Sequence, residues 1–189
     1  ESDSGPAVRS VSTTFLIDRI AEAHGEEVVE VPVGFKWVAE GMGDSEALMG
    51  GEESGGFSIR GHIREKDGVL MALVAGAVTA AEPLDDRVDR LLEEHGEIHA
   101  SKRSVACPDD EKERVLEDLA DHIPESVAGS AVADTVTLDG FKLLLEDGSW
   151  LLIRPSGTEP KLRVYGEAGS EDRLETLLDE GVDLVEPLV

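Results

Sequence analysis

Between Arg154 and Arg163 the chain reads RPSGTEPKLR, which sets Arg154, Ser156, Gly157, Thr158, Lys161 and Arg163 against one acid, Glu159. A planar guanidinium matches two oxygens of a phosphate. Successive backbone N–H groups around a glycine, flanked by two hydroxyls, make a concavity suited to an anion. Pro155 fixes its own φ and keeps Arg154 extended, so the spacing predicts a strand that delivers Arg154 into a turn. An ordinary hairpin turn would account for Gly157 and Pro160, but not for Arg before Pro-Ser-Gly-Thr.

A second group of residues lies at 50–56, GGEESGG. No Lys followed by Ser or Thr succeeds the last glycine, so this is not a P-loop, and the glycine spacing does not match a dinucleotide fingerprint. What remains is a pliable backbone carrying Glu52, Glu53 and Ser54. Carboxylates accept hydrogen bonds from sugar hydroxyls, and a serine both donates and accepts. A glycine-rich hairpin on an acidic surface is the competing reading. Just downstream, Arg60, His62, Arg64 and Lys66 stand among Glu65 and Asp67 as a second basic island. A partly desolvated lysine among cations titrates low enough to carry protons; a solvated lysine at a helix start is the alternative. Upstream, VPVGFKWV places Lys36 at an expected strand end, with Phe35 and Trp37 expected in the core.

These basic spots stand out because the 189-residue chain carries 42 acidic and 17 basic residues, a net charge of −25. The acids are scattered, as on the solvated surface of a salt-adapted protein. That balance argues against nucleic acid as a partner, since phosphate contacts need a basic face. No run of 18 apolar residues predicts a membrane helix, and the N-terminus does not read as a signal peptide. The missing initial Met suggests a fragment. Cys107 is the only cysteine, which fits a reducing cytoplasm.

The elements that must position these residues fall into two parts, residues 1–95 and 96–189. The first reads as α/β: a strand at AVRSV, a helix over STTFLIDRIAEAHG with Phe15, Leu16, Ile20 and Ala23 on one face and Gly25 closing it, and a strand at EVVEVPVGF. Strand, loop and strand follow around the glycines. A strongly apolar helix begins at Asp67 as N-cap, Pro83 breaks it, and LDDRVDRLLEEHG continues as another. The second part reads as α+β: a strand at EIHASKRSVACP, a helix over DDEKERVLEDLADHIP, three strands across 134–168 with Asp-Gly turns at 139–140 and 147–148, and a closing helix capped by Ser170.

RPSGTEPKLRVYGEA closely resembles the phosphate-binding loop in the fourth domain of the α-D-phosphohexomutases, the phosphoglucomutase/phosphomannomutase family. GEESGG resembles the sugar-binding loop of the family's third domain, HIREKDG the segment that follows it in the phosphoglucomutase branch, and VPVGFKWV the Gly-x-Lys stretch before it. The resemblance, over roughly residues 28–168, implies a partial third domain of α/β/α layers followed by a small fourth domain with an antiparallel sheet. It assigns Arg154, Ser156, Gly157 and Thr158 to the non-reacting phosphate of the sugar, with Lys161 and Arg163 as weaker carry-overs. It assigns Glu52 and Ser54 to two adjacent hydroxyls, places Lys36 and Arg64 near the substrate, and makes Lys66 a candidate general acid/base. Some relatives carry His where this chain has Gly56, so that proton carrier is absent here.

The family mechanism also needs a phosphorylated serine and three aspartates that hold a divalent metal, Mg2+. Neither STTFL nor SKRS resembles the serine loop, and Asp85, Asp86 and Asp89 read as a solvated helix face. Both loops are therefore expected N-terminal to this chain, in domains that would be its partners. The implied whole enzyme interconverts hexose 1-phosphate and hexose 6-phosphate through a hexose 1,6-bisphosphate. EESGG followed by HIREKDG favours glucose over mannose or glucosamine, and this chain alone is expected to be inactive. A non-catalytic sugar-phosphate-binding module is the reading from another functional class.

Overall fold

A computed structural model describes residues 4–189. The chain divides into two compact units, one ending at Glu97 and the other starting at Ile98. No single helix among the described residues is long and apolar enough to cross a membrane.

The first unit is built on a four-stranded sheet in the order β2-β1-β3-β4. Strand β1 (Ala7–Ser10) pairs in parallel with β2 (Val28–Val31) and β3 (Met49–Gly51), and β4 (Phe57–Ile59) runs antiparallel to β3. Helix α1 (Leu16–Ala23) connects β1 to β2, and Gly25 closes it at a φ of 73°. The segment at 35–44 departs from expectation. Phe35, Lys36 and Trp37 do not end a strand; they open helix α2 (Phe35–Asp44). Phe35, Val38 and Met42 form its buried stripe, whereas Trp37 is 37 % exposed and lies outside the core. Two glycines hide this helix from a propensity reading, because each costs about 1 kcal/mol against alanine. Tertiary packing repays that cost: a Cβ on Gly41 would come within 3.1 Å of Val31 and 3.2 Å of Val8.

Helix α3 (Gly68–Ala81) begins where Asp67 predicts, with Oδ1 accepting from the N–H groups of Val69 and Leu70 at 2.9 and 3.0 Å. Its apolar composition does not translate into core, since none of its residues is buried and Val69 and Leu73 are exposed. Pro83 separates it from α4 (Leu84–His95), and the two axes diverge by 80°. Asp85, Asp86 and Asp89 lie exposed on α4. Arg19 ties α4 to α1 by donating to His95 O at 3.0 Å.

The second unit is a six-stranded antiparallel sheet in the order β5-β10-β9-β8-β7-β6. Its strands are β5 (His99–Ala106), β6 (Ser126–Val127), β7 (Ser130–Val136), β8 (Phe141–Leu145), β9 (Trp150–Pro155) and β10 (Lys161–Ala168). Residues 134–168 therefore span the end of β7 and three complete strands, where three strands in all were expected. The Asp-Gly turns fall between β7 and β8 and between β8 and β9, with φ of 85° at Gly140 and 83° at Gly148. Helix α5 (Lys112–Ala120) supplies Val115 and Leu119 to the core. Helix α6 (Glu171–Val185) is capped by Ser170 Oγ, which accepts from Arg173 N. It buries Leu174, Leu177 and Leu178 against Leu151, Leu162 and Val164 of the sheet. Gly181 allows close approach, since a Cβ there would lie 2.7 Å from Leu151 and Val164.

Candidate functional site

In the second unit, β9 carries Arg154 to the edge of a turn that returns as β10. Its side chain is 11 % exposed, and its Nε donates to Asp139 Oδ2 at 3.0 Å. Asp139 belongs to the Asp-Gly turn tucked under Arg154, where a Cβ on Gly140 would meet Ile153 O and Arg154 Cα. With Nε occupied, the fork has one orientation, and Nη1 and Nη2 have no acceptor among the described residues. The backbone shows the same division. Ser156 N donates to Lys161 O at 2.9 Å and Lys161 N to Glu159 O at 2.8 Å. The N–H groups of Gly157, Thr158 and Glu159 have no acceptor among the described residues. Ser156 is buried, while Gly157 and Thr158 are exposed. A fork with two unused ends beside three unused N–H groups is the donor set of an anion site.

Lys161 and Arg163 are engaged otherwise. Glu159 Oε1 pairs with Lys161 Nζ at 2.7 Å, and its Oε2 accepts from Arg163 Nη2 at 2.5 Å. The hydrogen bond from Lys161, with the charges of Lys161 and Arg163 behind it, holds the Glu159 carboxyl below the usual carboxylate range.

In the first unit, the loops after β1, β2 and β3 emerge at one edge, because the three strands are parallel. Ligands of open α/β sheets bind at that carboxyl edge. The loop 52–56 is closed by Glu52 N donating to Gly56 O and Gly55 N to Glu52 O, at 2.9 and 3.0 Å. Glu52, with a side chain 5 % exposed, turns inward. Its Oε1 accepts from Gly34 N, at the start of α2, at 3.0 Å, and its Oε2 lies 3.9 Å from Lys66 Nζ. Ser54 and Lys36 are exposed, and Lys36 Nζ sits 4.4 Å from the Trp37 ring centre.

The basic island of the sequence does not form a cluster around Lys66. Arg60 donates to the carbonyls of Ser4, Glu46 and Ala47. His62 pairs with Asp67 at 2.9 Å. Arg64 lies over Gly43, where a Cβ would meet its guanidinium, and lines a cavity of about 400 Å³ with Glu46, Arg60 and His62. Lys66 is 53 % exposed, and Glu52 is its ion-pair partner. Among the described residues each neighbouring cation turns instead to a local carbonyl, carboxylate or glycine. The structure thus joins Glu52, Lys66 and the start of α2, and it does not join Arg64 to them.

Gly56 explains itself here. A Cβ at this position would come within 2.7 Å of Lys66 Cδ and 3.0 Å of Glu52 Oε2. The stem of Lys66 fills the space that a side chain at 56 would need. Three hydroxyl residues not assigned to the site from the sequence also belong to this edge. Ser12, in the turn after β1, donates to Glu53 Oε2 at 2.9 Å. Ser10 Oγ lies 2.8 Å from Thr13 Oγ1 and 3.2 Å from Ser12 Oγ. The available signal was a run of hydroxyl residues directly after a predicted strand. Among the described residues no group of three or more His, Cys, Asp or Glu could hold a metal ion.

Comparison with known proteins agrees with both units. The model of the phosphoglucomutase/phosphomannomutase α/β/α domain III matches residues 1–95, and that of the family's C-terminal domain matches residues 104–184. The chain is 34 % identical over 183 residues to a phosphoglucosamine mutase of Methanocaldococcus jannaschii, covering 94 % of this chain and 38 % of the relative. It is 31 % identical over 195 residues to a phosphopentomutase of Thermococcus kodakarensis, covering 100 % of this chain and 40 % of the relative. It is 32 % identical over 205 residues to a phosphoglucomutase of Komagataeibacter xylinus, covering 95 % and 35 %. A crystal structure of a phosphoglucomutase/phosphomannomutase family protein from Burkholderia thailandensis shares the fold with a TM-score of 0.75 at 19 % identity, over 97 % of this chain and 37 % of that one. The chain thus spans well under half the length of these proteins. With both domain models matched in order, the chain belongs to the phosphoglucomutase/phosphomannomutase family, of which it carries the α/β/α domain III fold and the C-terminal domain.

Proposed function

We propose that this chain supplies the hydroxyl-binding and phosphate-anchoring parts of a phosphohexomutase that interconverts hexose 1-phosphate and hexose 6-phosphate, with glucose as the sugar. The observation that carries the reading is the turn at 154–161. Its scaffold groups are paired within the protein, whereas Nη1 and Nη2 of Arg154 and the N–H groups of Gly157, Thr158 and Glu159 are left for a ligand. An anchored phosphate does not react. It holds the sugar while the other end meets a phosphoserine contributed by residues outside this chain. That serine gives its phosphoryl group to the free hydroxyl, the bisphosphate reorients, and the second phosphate returns to the serine.

Phosphoryl transfer asks the protein chiefly for positioning and charge stabilisation. Arg154 with Ser156, Gly157 and Thr158 supplies one fixed end. Ser54 and the carboxylates of the 52–56 loop, with Lys36 beside them, meet the hydroxyls. Lys66 exchanges the proton of the attacking or leaving hydroxyl. A divalent cation, Mg2+ by resemblance, would neutralise charge on the transferring phosphoryl group. The described residues offer no cluster to hold it. The preference for glucose rests on EESGG followed by HIREKDG. The net charge of −25 and the single buried Cys107 support a salt-rich, reducing cytoplasm as the setting.

Titration of the 189-residue chain with inorganic phosphate, followed by amide NMR, tests the anchor. Shifts should concentrate at residues 154–161, and binding should first strengthen as salt screens the surrounding acids. Shifts elsewhere, with 154–161 unmoved, overturn the reading. A coupled assay of the whole gene product on glucose, mannose and glucosamine 1-phosphates tests the sugar, with kcat/KM highest for glucose expected.

A further inference from the structure

Lys112 is the first residue of α5, where the helix dipole favours acids over a cation. Nothing in the helix explains a lysine there. Its side chain is 12 % exposed, and its ammonium spends all three donors. It donates to Ser156 O at 2.6 Å and Glu159 O at 2.7 Å, and it pairs with Asp109 Oδ1 at 2.6 Å. Both carbonyls belong to the anion-binding turn, 44 and 47 residues further along the chain.

We infer that Lys112 is the positioning residue of the phosphate turn: its ammonium draws two carbonyls to the rear of the turn and so aims the intervening N–H groups at the anion. In a trans peptide the C=O and the following N–H point in opposite directions. No cis peptide bond occurs among the described residues. Pinning Ser156 O to Lys112 therefore turns Gly157 N–H away from Lys112. The second pinned carbonyl, Glu159 O, precedes Pro160, which has no N–H of its own, so this contact fixes the far end of the turn without using a donor. Between the two anchors, Gly157 is the residue whose backbone would otherwise be free to flip. Carbonyl oxygens facing a phosphate would repel it. The ammonium thus holds Ser156 O behind the turn and shares Glu159 O with Lys161 N, which preorganises the donors and lowers the ordering cost that binding would otherwise carry.

The inference rests on the phosphate-anchor reading, and the experiment separates them. Wild type, Lys112→Met and Lys112→Arg forms of the 189-residue chain are titrated with inorganic phosphate by amide NMR at low salt and at 1 M NaCl. Wild type should shift Gly157 and Thr158. Lys112→Met should weaken phosphate by about tenfold, the scale of losing charge-assisted hydrogen bonds that order a site. The tenfold ratio should persist at 1 M NaCl, where a Debye length of about 3 Å removes a purely long-range charge effect. The Gly157 amide should also change shift before any phosphate is added, with amides of α6 unmoved. Lys112→Arg, which keeps the charge but replaces a compact donor by a planar fork, should bind more weakly than wild type and more tightly than Lys112→Met. If wild type binds and Lys112→Met matches it at 1 M NaCl, the positioning role is overturned while the anchor stands. If wild type fails to bind, both fall.

Discussion

The two loops of this chain prepare for a ligand in opposite ways. The turn at 154–161 has its Ser156 and Glu159 carbonyls held by Lys112 and leaves donors over. The loop at 52–56 pairs its carboxylates, the groups proposed above to meet the sugar: Glu52 is held by Gly34 N and Lys66, and Glu53 by Ser12. A phosphate can enter the turn without breaking a protein hydrogen bond. A sugar hydroxyl must share or replace a partner at the loop. The turn is a finished electrostatic site, and the loop is a set of exchangeable contacts. That division suits a reaction in which one phosphate stays anchored while the hydroxyls must be gripped in two orientations.

The strongest consequence lies at Arg154. Arg154→Ala should weaken inorganic phosphate about a hundredfold, since a bidentate charged contact is worth about 2–3 kcal/mol. Isothermal titration of the chain measures it, and a loss below threefold would mean the turn is no better prepared than the loop. Lys66→Met should lower kcat of the whole enzyme by about a hundredfold with little change in KM, as expected when a proton carrier is removed. An unchanged kcat would make Lys66 only a counter-charge for Glu52. Glu52→Ala should act twice, because the carboxylate is buried and shared. It should cost about 1–3 kcal/mol of stability through the orphaned Gly34 N–H, read by urea unfolding of the chain. It should also lower kcat/KM by about tenfold or more. If only one of the two moves, Glu52 is either a structural brace or a ligand group, not both.

Smaller effects follow from partners of partners. Ser12→Ala removes one hydrogen bond to Glu53 and should change kcat/KM by about threefold, on the scale of a net contribution of roughly 0.5–1.5 kcal/mol. The smallest concerns Asp67 at the head of α3. Its carboxyl is held below the ordinary range by hydrogen bonds from Leu70 N, His62 and Val69 N. A depressed carboxyl contributes stability that is present above its unfolded value of about 3.9 and lost as pH falls through its lower folded value. The amides of Val69 and Leu70 should therefore keep their capped shifts at pH 5 and lose them only under stronger acid. A transition near pH 5 would show that the cap does not hold.

Much of the chemistry is local, and local features were readable before any fold. Arg154 to Lys161 declares its turn because proline, glycine and charge act on their own neighbours. Asp67, Ser170 and the two Asp-Gly turns likewise do their work within a few residues. Helix α2 escaped, since its glycines lower local propensity and its true signal is the stripe of Phe35, Val38 and Met42 packed on strands. The cationic cluster expected around Lys66 failed for a related reason: nearness in sequence does not say which way a long side chain turns.

Residue types and their spacing were enough to point to an anion-binding turn, to an acidic glycine-rich loop and to a two-part layout, of which the layout is seen directly. Tertiary structure alone decided which of those groups are spent. The pairings that settle the matter join residues far apart in the chain: Lys112 with Ser156, 44 positions away, and Ser12 with Glu53, 41 positions away. It also decided that Gly56 must be small, because Lys66 occupies its space. Composition fixes how many donors and acceptors a chain owns. Which donor meets which acceptor depends on how strands bring distant turns together, and that geometry has no counterpart in a local pattern.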